Sequence, residues 1–214
     1  MEMTAPFRPN RRGGAENFPE FDPNWDLISI HMAPRSSPAP VLQLRIQLND
    51  VLPVVWRRLL VPGSANLAQL SDMLLTAMGW NGSHLHSFRI GDKTYSVPDD
   101  EDDYDEEGEE PIDETKVTVA QVLREERRFT YEYDFGDSWE HEVAVEDVTT
   151  VTDRLKFAVC LDGQNACPPD DIGGPPGYKR FLHDFDQSLE GIGGPFDAAA
   201  FEVAAVNAAL QTLR

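Results

Sequence analysis

A chain of 214 residues with 38 acidic against 18 basic side chains carries a net charge of −20 at neutral pH. That balance excludes general nucleic-acid binding, because affinity for phosphates draws on clustered Lys and Arg displacing counterions. No run of eighteen apolar residues occurs and no charged-then-apolar leader pattern opens the chain, so the expected location is cytoplasmic, with no membrane association.

In chain order, the first forty residues are rich in proline, contain Arg11-Arg12-Gly13-Gly14 and have few periodic apolar positions. Such a segment buries too little surface to offset the entropy of ordering, so residues 1–40 are expected to be a disordered or loosely docked tail. Phe18, Phe21, Trp25, Leu27 and Ile28 are its apolar exceptions, able to dock on the domain or on a partner. A single domain is expected over residues 41–214. In VLQLRIQLND, Val41, Leu42, Leu44, Ile46 and Leu48 follow the period of a half-buried strand. Turn chemistry over Asn49–Pro53 leads to VVWRRLLVP, a second strand antiparallel to the first. Asn66 or Ser64 then caps a helix with Leu67, Leu70, Leu74, Leu75 and Met78 at helical spacing and Gly79 at its stop. HLHSFRIGDKTYSVP reads as two strands joined at Gly91-Asp92.

Asp99–Glu110 places ten carboxylates in twelve residues. The block repels itself, and it is read as a solvated insertion at about 98–114. It lacks the spaced ligands and fixed glycine of a calcium loop. TVAQVLREE is a short helix with Val119, Val122 and Leu123 inward. FTYEYDFG and WEHEVAVED form a hairpin about Gly136-Asp137, and RLKFAVCLDG is a further strand. A turn at Gly173-Gly174 precedes a helix from Tyr178, and FDAAAFEVAAVNAALQTLR is a final amphipathic helix. The expected class is α+β, a mostly antiparallel sheet built from hairpins with helices packed on one face.

The chemistry-bearing residues concentrate between Tyr131 and Tyr178. His84 and His86, two apart on an expected strand, point to one face, and His141 shares a face with Trp139. With Asp137 these histidines would suit zinc or another divalent transition metal, and Cys160 and Cys167 could complete a mixed site with His84 or His141. The alternative is structural: a histidine bridged to an aspartate beside a tryptophan, with Cys160 a small buried apolar residue and Cys167 fixing the Pro168-Pro169 turn. The local surplus of Asp162, Asp170 and Asp171 works against a cysteine nucleophile. Asp134 is expected to stabilise the turn, and Asp137 with His141 to form a base-and-orienter pair. Arg57, sharing a face with Val55 and Leu59, is expected to be buried and paired with a carboxylate or an anionic ligand.

YDFGDSWEHEVAVE, the CLDG…ACPPDDIGG…GY segment, VVWRRLLVP and MGW…HLHSF together resemble the plasmid pRiA4b ORF-3-like family over about Val41–Phe185. Members are commonly labelled TnpR-like or transposon-passenger proteins, an association with mobile elements. The resemblance implies an α+β fold and a shared polar surface around Trp56, Arg57, His86, Asp134, Asp137, Trp139 and His141, and no reaction. A resolvase would need a nucleophilic serine among arginines and a basic helix-turn-helix, and neither is present. Two functions follow as expectations. The first is a module that binds a protein or small-molecule ligand on a sheet face carrying Trp56, His86, Trp139 and His141. The second is a metal-dependent hydrolase using the same His/Asp cluster.

Overall fold

The computed structural model of the chain describes residues 39–98, 110–151, 155–185 and 196–213, all within a compact unit spanning Ser36–Arg214. The expected tail up to residue 38, with its aromatic exceptions, and the acidic block at 99–109 lie outside the described residues.

Strand β1 (Ala39–Leu48) begins two residues before the expected boundary, and Leu42, Leu44, Ile46 and Leu48 are buried while Gln43, Arg45 and Gln47 are only partly so. It pairs antiparallel with β2 (Trp56–Pro62), Leu44 opposite Leu59 and Ile46 opposite Arg57. One face of β2 therefore carries Arg57, Leu59 and Val61 inward, and the other Trp56, Arg58 and Leu60. Helix α1 (Leu67–Met78) starts where sequence chemistry requires. The Asn66 side chain accepts from the Gln69 amide, and the Gln69 side chain accepts from that of Asn66. This reciprocal capping satisfies two donors that a helix start otherwise leaves free. Gly79, left-handed at φ 102°, closes it.

Strands β3 (His86–Ile90) and β4 (Lys93–Ser96) form a hairpin. Two-residue β5 (Ile112–Asp113) pairs parallel with β4, then come a single 3-10 turn and α2 (Val119–Val122). Strands β6 (Arg128–Tyr133) and β7 (Trp139–Val151) form the second hairpin, followed by β8 (Val159–Gln164), α3 (Gly174–Phe185) and α4 (Val203–Leu210). The strand order is β5-β4-β3-β6-β7-β1-β2-β8. Among the described residues every pairing is antiparallel except β4 with β5. The class is thus α+β with a mixed sheet, not a purely antiparallel one. The parallel contact arises where the chain returns from the acidic block, which no hairpin signal marks.

Two other expectations are corrected. Helix α3 opens at Gly174 instead of Tyr178, because Pro175 and Pro176 sit in the first turn, where a missing amide costs nothing. The final helix is confined to Val203–Leu210, while Ala200 bonds back to Asp197 in a turn. The register of β3, β6 and β7 sets side chains in rows across the sheet: His86, Tyr133 and Trp139 in one, Phe88, Tyr131 and His141 in the next. Those rows end at the β6–β7 tip, where the polar residues gather. No helix among the described residues is long and apolar enough to cross a membrane.

Candidate cation site

The β6–β7 connection, Asp134–Ser138, is a tight tip with Asp134 at φ 57° and Ser138 at φ 51°, left-handed backbone that Asp tolerates through its own side chain. Asp134 Oδ1 accepts from the amides of Gly136 (3.0 Å) and Asp137 (3.3 Å). Its role in the turn is therefore the expected one. The same bonds hold the carboxylate so that Oδ2 lies 3.7 Å from His84 Nδ1. Behind the tip, Leu85 O accepts the Asp134 amide at 2.8 Å and fixes the segment entering β3.

The loop leading into α3 docks on this tip. Asp137 Oδ2 accepts from the Gly173 amide at 2.9 Å. Gly174, at φ 65°, approaches so closely that a Cβ there would stand 2.3 Å from Asp137 O, a position open only to glycine. The docked loop brings Asp171 Oδ1 to 3.0 Å from His84 Nε2, outside hydrogen-bond geometry. One imidazole thus lies between two carboxylates from different segments, and ligand atoms of His84, Asp134 and Asp171 all fall within 4.8 Å of one another.

Asp170 and Tyr133 complete the surroundings. Both Asp170 carboxylate oxygens are buried without a hydrogen-bond partner, as are His84 Nε2 and the Tyr133 hydroxyl. Tyr133 is fully buried, its ring stacked on Trp80 (5.2 Å) and edge-on to His84 (5.7 Å). Burial raises the pKa of Asp170, the charges of Asp171 and Asp134 raise it further, and His84 and the nearby Tyr133 hydroxyl oppose them. Burial likewise raises that of Tyr133, with the nearby Asp170 adding to it. Three carboxylates thus gather about one imidazole.

The other expected site residues lie elsewhere. Strand β3 starts at His86, so His84 precedes it, and the two histidines do not converge. His86 Nε2 is 2.9 Å from Glu114 Oε2, a buried carboxylate that the sequence reading missed because it closes a run of solvated acids. Asp137 does not meet His141. That imidazole is fully buried, its Nδ1–H donating to Tyr131 O at 3.2 Å and its edge against Trp80. Trp139 is fully buried too. Trp56 is on the opposite face, where Arg45 and Arg58 lie over its ring, so the expected surface joining Trp56, His86, Trp139 and His141 does not form.

Arg57 is buried as expected but, among the described residues, is paired with no carboxylate. It donates to Ala77 O (3.0 Å), Trp56 O (2.8 Å) and Gln164 O (2.9 Å) and lies against the Phe201 ring at 4.3 Å, closing the last turn of α1 against the end of β8. Cys160 and Cys167 are free thiols apart from the His84 cluster. Burial raises the pKa of both, against the pull of Arg57. Asp170 and Asp171 read in sequence only as acids near a cysteine. The adjacent Gly173-Gly174 is the one signal of close docking, and it does not name the surface approached.

The chain is 34% identical over 186 residues to an uncharacterised protein, y4hQ, of Sinorhizobium fredii strain NGR234, covering 82% of this chain and 93% of that one. It superposes with a TM-score of 0.67 and 24% identity on the crystal structure of MM3350, a protein of unknown function from Methanosarcina mazei, covering 78% and 96% of the two chains. The model of the plasmid pRiA4b ORF-3-like protein family matches residues 40–205, past the span expected from motifs and into α4. With that match, and with the β-hairpin tip and its docked glycine loop lying inside it, the chain belongs to the plasmid pRiA4b ORF-3-like family.

Proposed function

We propose that this domain is a ligand-binding module and that its ligand is a cation, held where His84, Asp134 and Asp171 converge with Asp170 nearby. One observation carries the reading: among the described residues, three of the seven buried side-chain polar atoms without a partner belong to this cluster, and a fourth, the Tyr133 hydroxyl, borders it. The others are Trp139 Nε1, His141 Nε2 and the Tyr178 hydroxyl. A buried polar atom left unpaired costs about 1–3 kcal/mol. Three potential acceptors in one place, beside two more carboxylates, favour a positively charged guest. The reading assigns the protein to the cytoplasm, in keeping with its two free thiols.

Thermal unfolding of the full chain in a panel of divalent metal chlorides, arginine and spermidine, each against sodium chloride of equal ionic strength, tests it. A guest at a hundredfold its Kd adds about 2.7 kcal/mol. The expected result is stabilisation by at least one member of the panel, absent in a variant carrying both Asp134→Asn and Asp171→Asn. Equal unfolding temperatures across the panel refute the reading.

A second reading, a metal-dependent hydrolase, is favoured by the 73% exposure of the Asp171 side chain. A cation held there would face solvent on one side, as a catalytic metal requires.

A further inference from the structure

We infer that the cation is a divalent transition-metal ion of the zinc type, with one His84 nitrogen, Asp134 and Asp171 as ligands and the fourth position open to solvent. This rests on the cation-binding reading above and narrows it to one class of guest.

The donor set argues for it first. An imidazole nitrogen with carboxylate oxygens suits zinc-like ions, whereas calcium takes six to eight oxygens. Dimensions argue next. Metal–ligand bonds of about 2.0–2.2 Å at tetrahedral angles set ligand atoms about 3.4 Å apart. With one ligand atom taken from each of His84, Asp134 and Asp171, no separation in the triad exceeds 4.8 Å, and the shortest, His84 Nε2 to Asp171 Oδ1, is 3.0 Å. An enclosure of that size fits one ion better than an ammonium or guanidinium group with its substituents.

Preorganisation is the third argument. Asp134 spends Oδ1 on two backbone amides and keeps Oδ2 toward His84, the orientation that outer hydrogen bonds impose on a ligating carboxylate. Asp137, through the Gly173 amide, holds the segment that carries Asp170 and Asp171. An independent pointer is the Tyr133 hydroxyl. It is buried, makes no well-aligned hydrogen bond and borders the Asp170 carboxylate, to which it can donate.

The competing arrangement needs no metal: a protonated His84 bridging Asp134 and Asp171. Titration of the metal-stripped full chain with cobalt chloride, read by visible absorption and followed by displacement with zinc chloride, separates the two. The inference expects one cobalt per chain with the intense bands of low coordination, displaced by one zinc. It also expects affinity to fall at least tenfold in His84→Gln and in Asp171→Asn, whose exposed side chain can be changed without unfolding the domain. Asp137→Ala, which frees the Gly173 amide that seats the loop carrying Asp171, should also weaken binding, and Asp162→Asn, outside the cluster, should leave it unchanged.

Weak octahedral cobalt bands insensitive to His84→Gln would assign the metal to the acidic block and overturn the inference. Stabilisation by arginine or spermidine without metal binding would overturn it too while leaving the cation-binding reading intact. No response to any cation would remove both.

Discussion

His141 makes the protein acid-labile in a defined window. Its imidazole is fully buried in the row shared with Phe88 and Tyr131. The Nδ1–H is spent on Tyr131 O, and Nε2 has no partner. A second proton would sit on Nε2, closed off from bulk solvent and without an acceptor among the described residues, so burial lowers the pKa from 6.5 to about 4, against the pull of the Tyr131 and Trp139 backbone. Between those values the unfolded chain binds more protons than the folded one, so stability rises with pH and falls on acidification. The linkage relation gives a loss, relative to pH 7, of about 2 kcal/mol at pH 5 and about 3 kcal/mol at pH 4, with little further loss below. Urea unfolding followed by tryptophan fluorescence at pH 7, 5 and 4 measures it, with His141→Asn as the control. Asparagine keeps an amide donor near the Nδ1 position but does not titrate. Other carboxylates contribute equally to both proteins, so the difference between the two curves isolates His141. The variant should be less stable at pH 7 and approach wild type as the pH falls. Parallel losses in both proteins would refute the argument.

Other substitutions test the architecture around the site. Gly174→Ala should cost about 1–2 kcal/mol from left-handed backbone alone, and more from the Cβ forced onto Asp137 O; an unchanged urea midpoint would show that the loop does not dock as described. Tyr131→Phe strands Ser71 Oγ, now 2.7 Å from the tyrosine hydroxyl, and should cost about 1–3 kcal/mol. The Tyr131→Phe, Ser71→Ala double variant should lose less than the sum of the two single changes. Arg57→Met leaves three carbonyls without their donor and should cost about 2–4 kcal/mol. Arg57→Lys should not restore it, since one ammonium cannot span α1 and β8 as a planar fork does; recovery of the midpoint by lysine would count against that geometry.

Local structure was largely legible in the residues. The alternation in VLQLRIQL determined β1 and its buried face, because a pleated strand points every second side chain one way. Asn66, one of the two residues expected as cap, marked the start of α1, and Asp134-Phe135-Gly136-Asp137 marked a turn. The burial of Arg57 followed from its face, between Val55 and Leu59. Its partners did not, because a guanidinium accepts any well-placed oxygen and the carbonyls of α1 and β8 reach it only in the folded chain. The start of β3 decided the fate of the two histidines. With His84 outside the strand, period two no longer applied to it, and His86 turned to Glu114 instead.

The candidate site lay furthest from what sequence could show. His84, Asp134 and Asp171 come from three separate segments, and what unites them is the docking of the glycine loop on the hairpin tip through Asp137 and Gly174. Periodicity and turn chemistry act over a few residues and report which way a side chain faces. They determined the α+β class, the two hairpins and the acids at the tip. Which distant groups share a pocket depends on how whole elements pack, and that the tertiary structure alone decided.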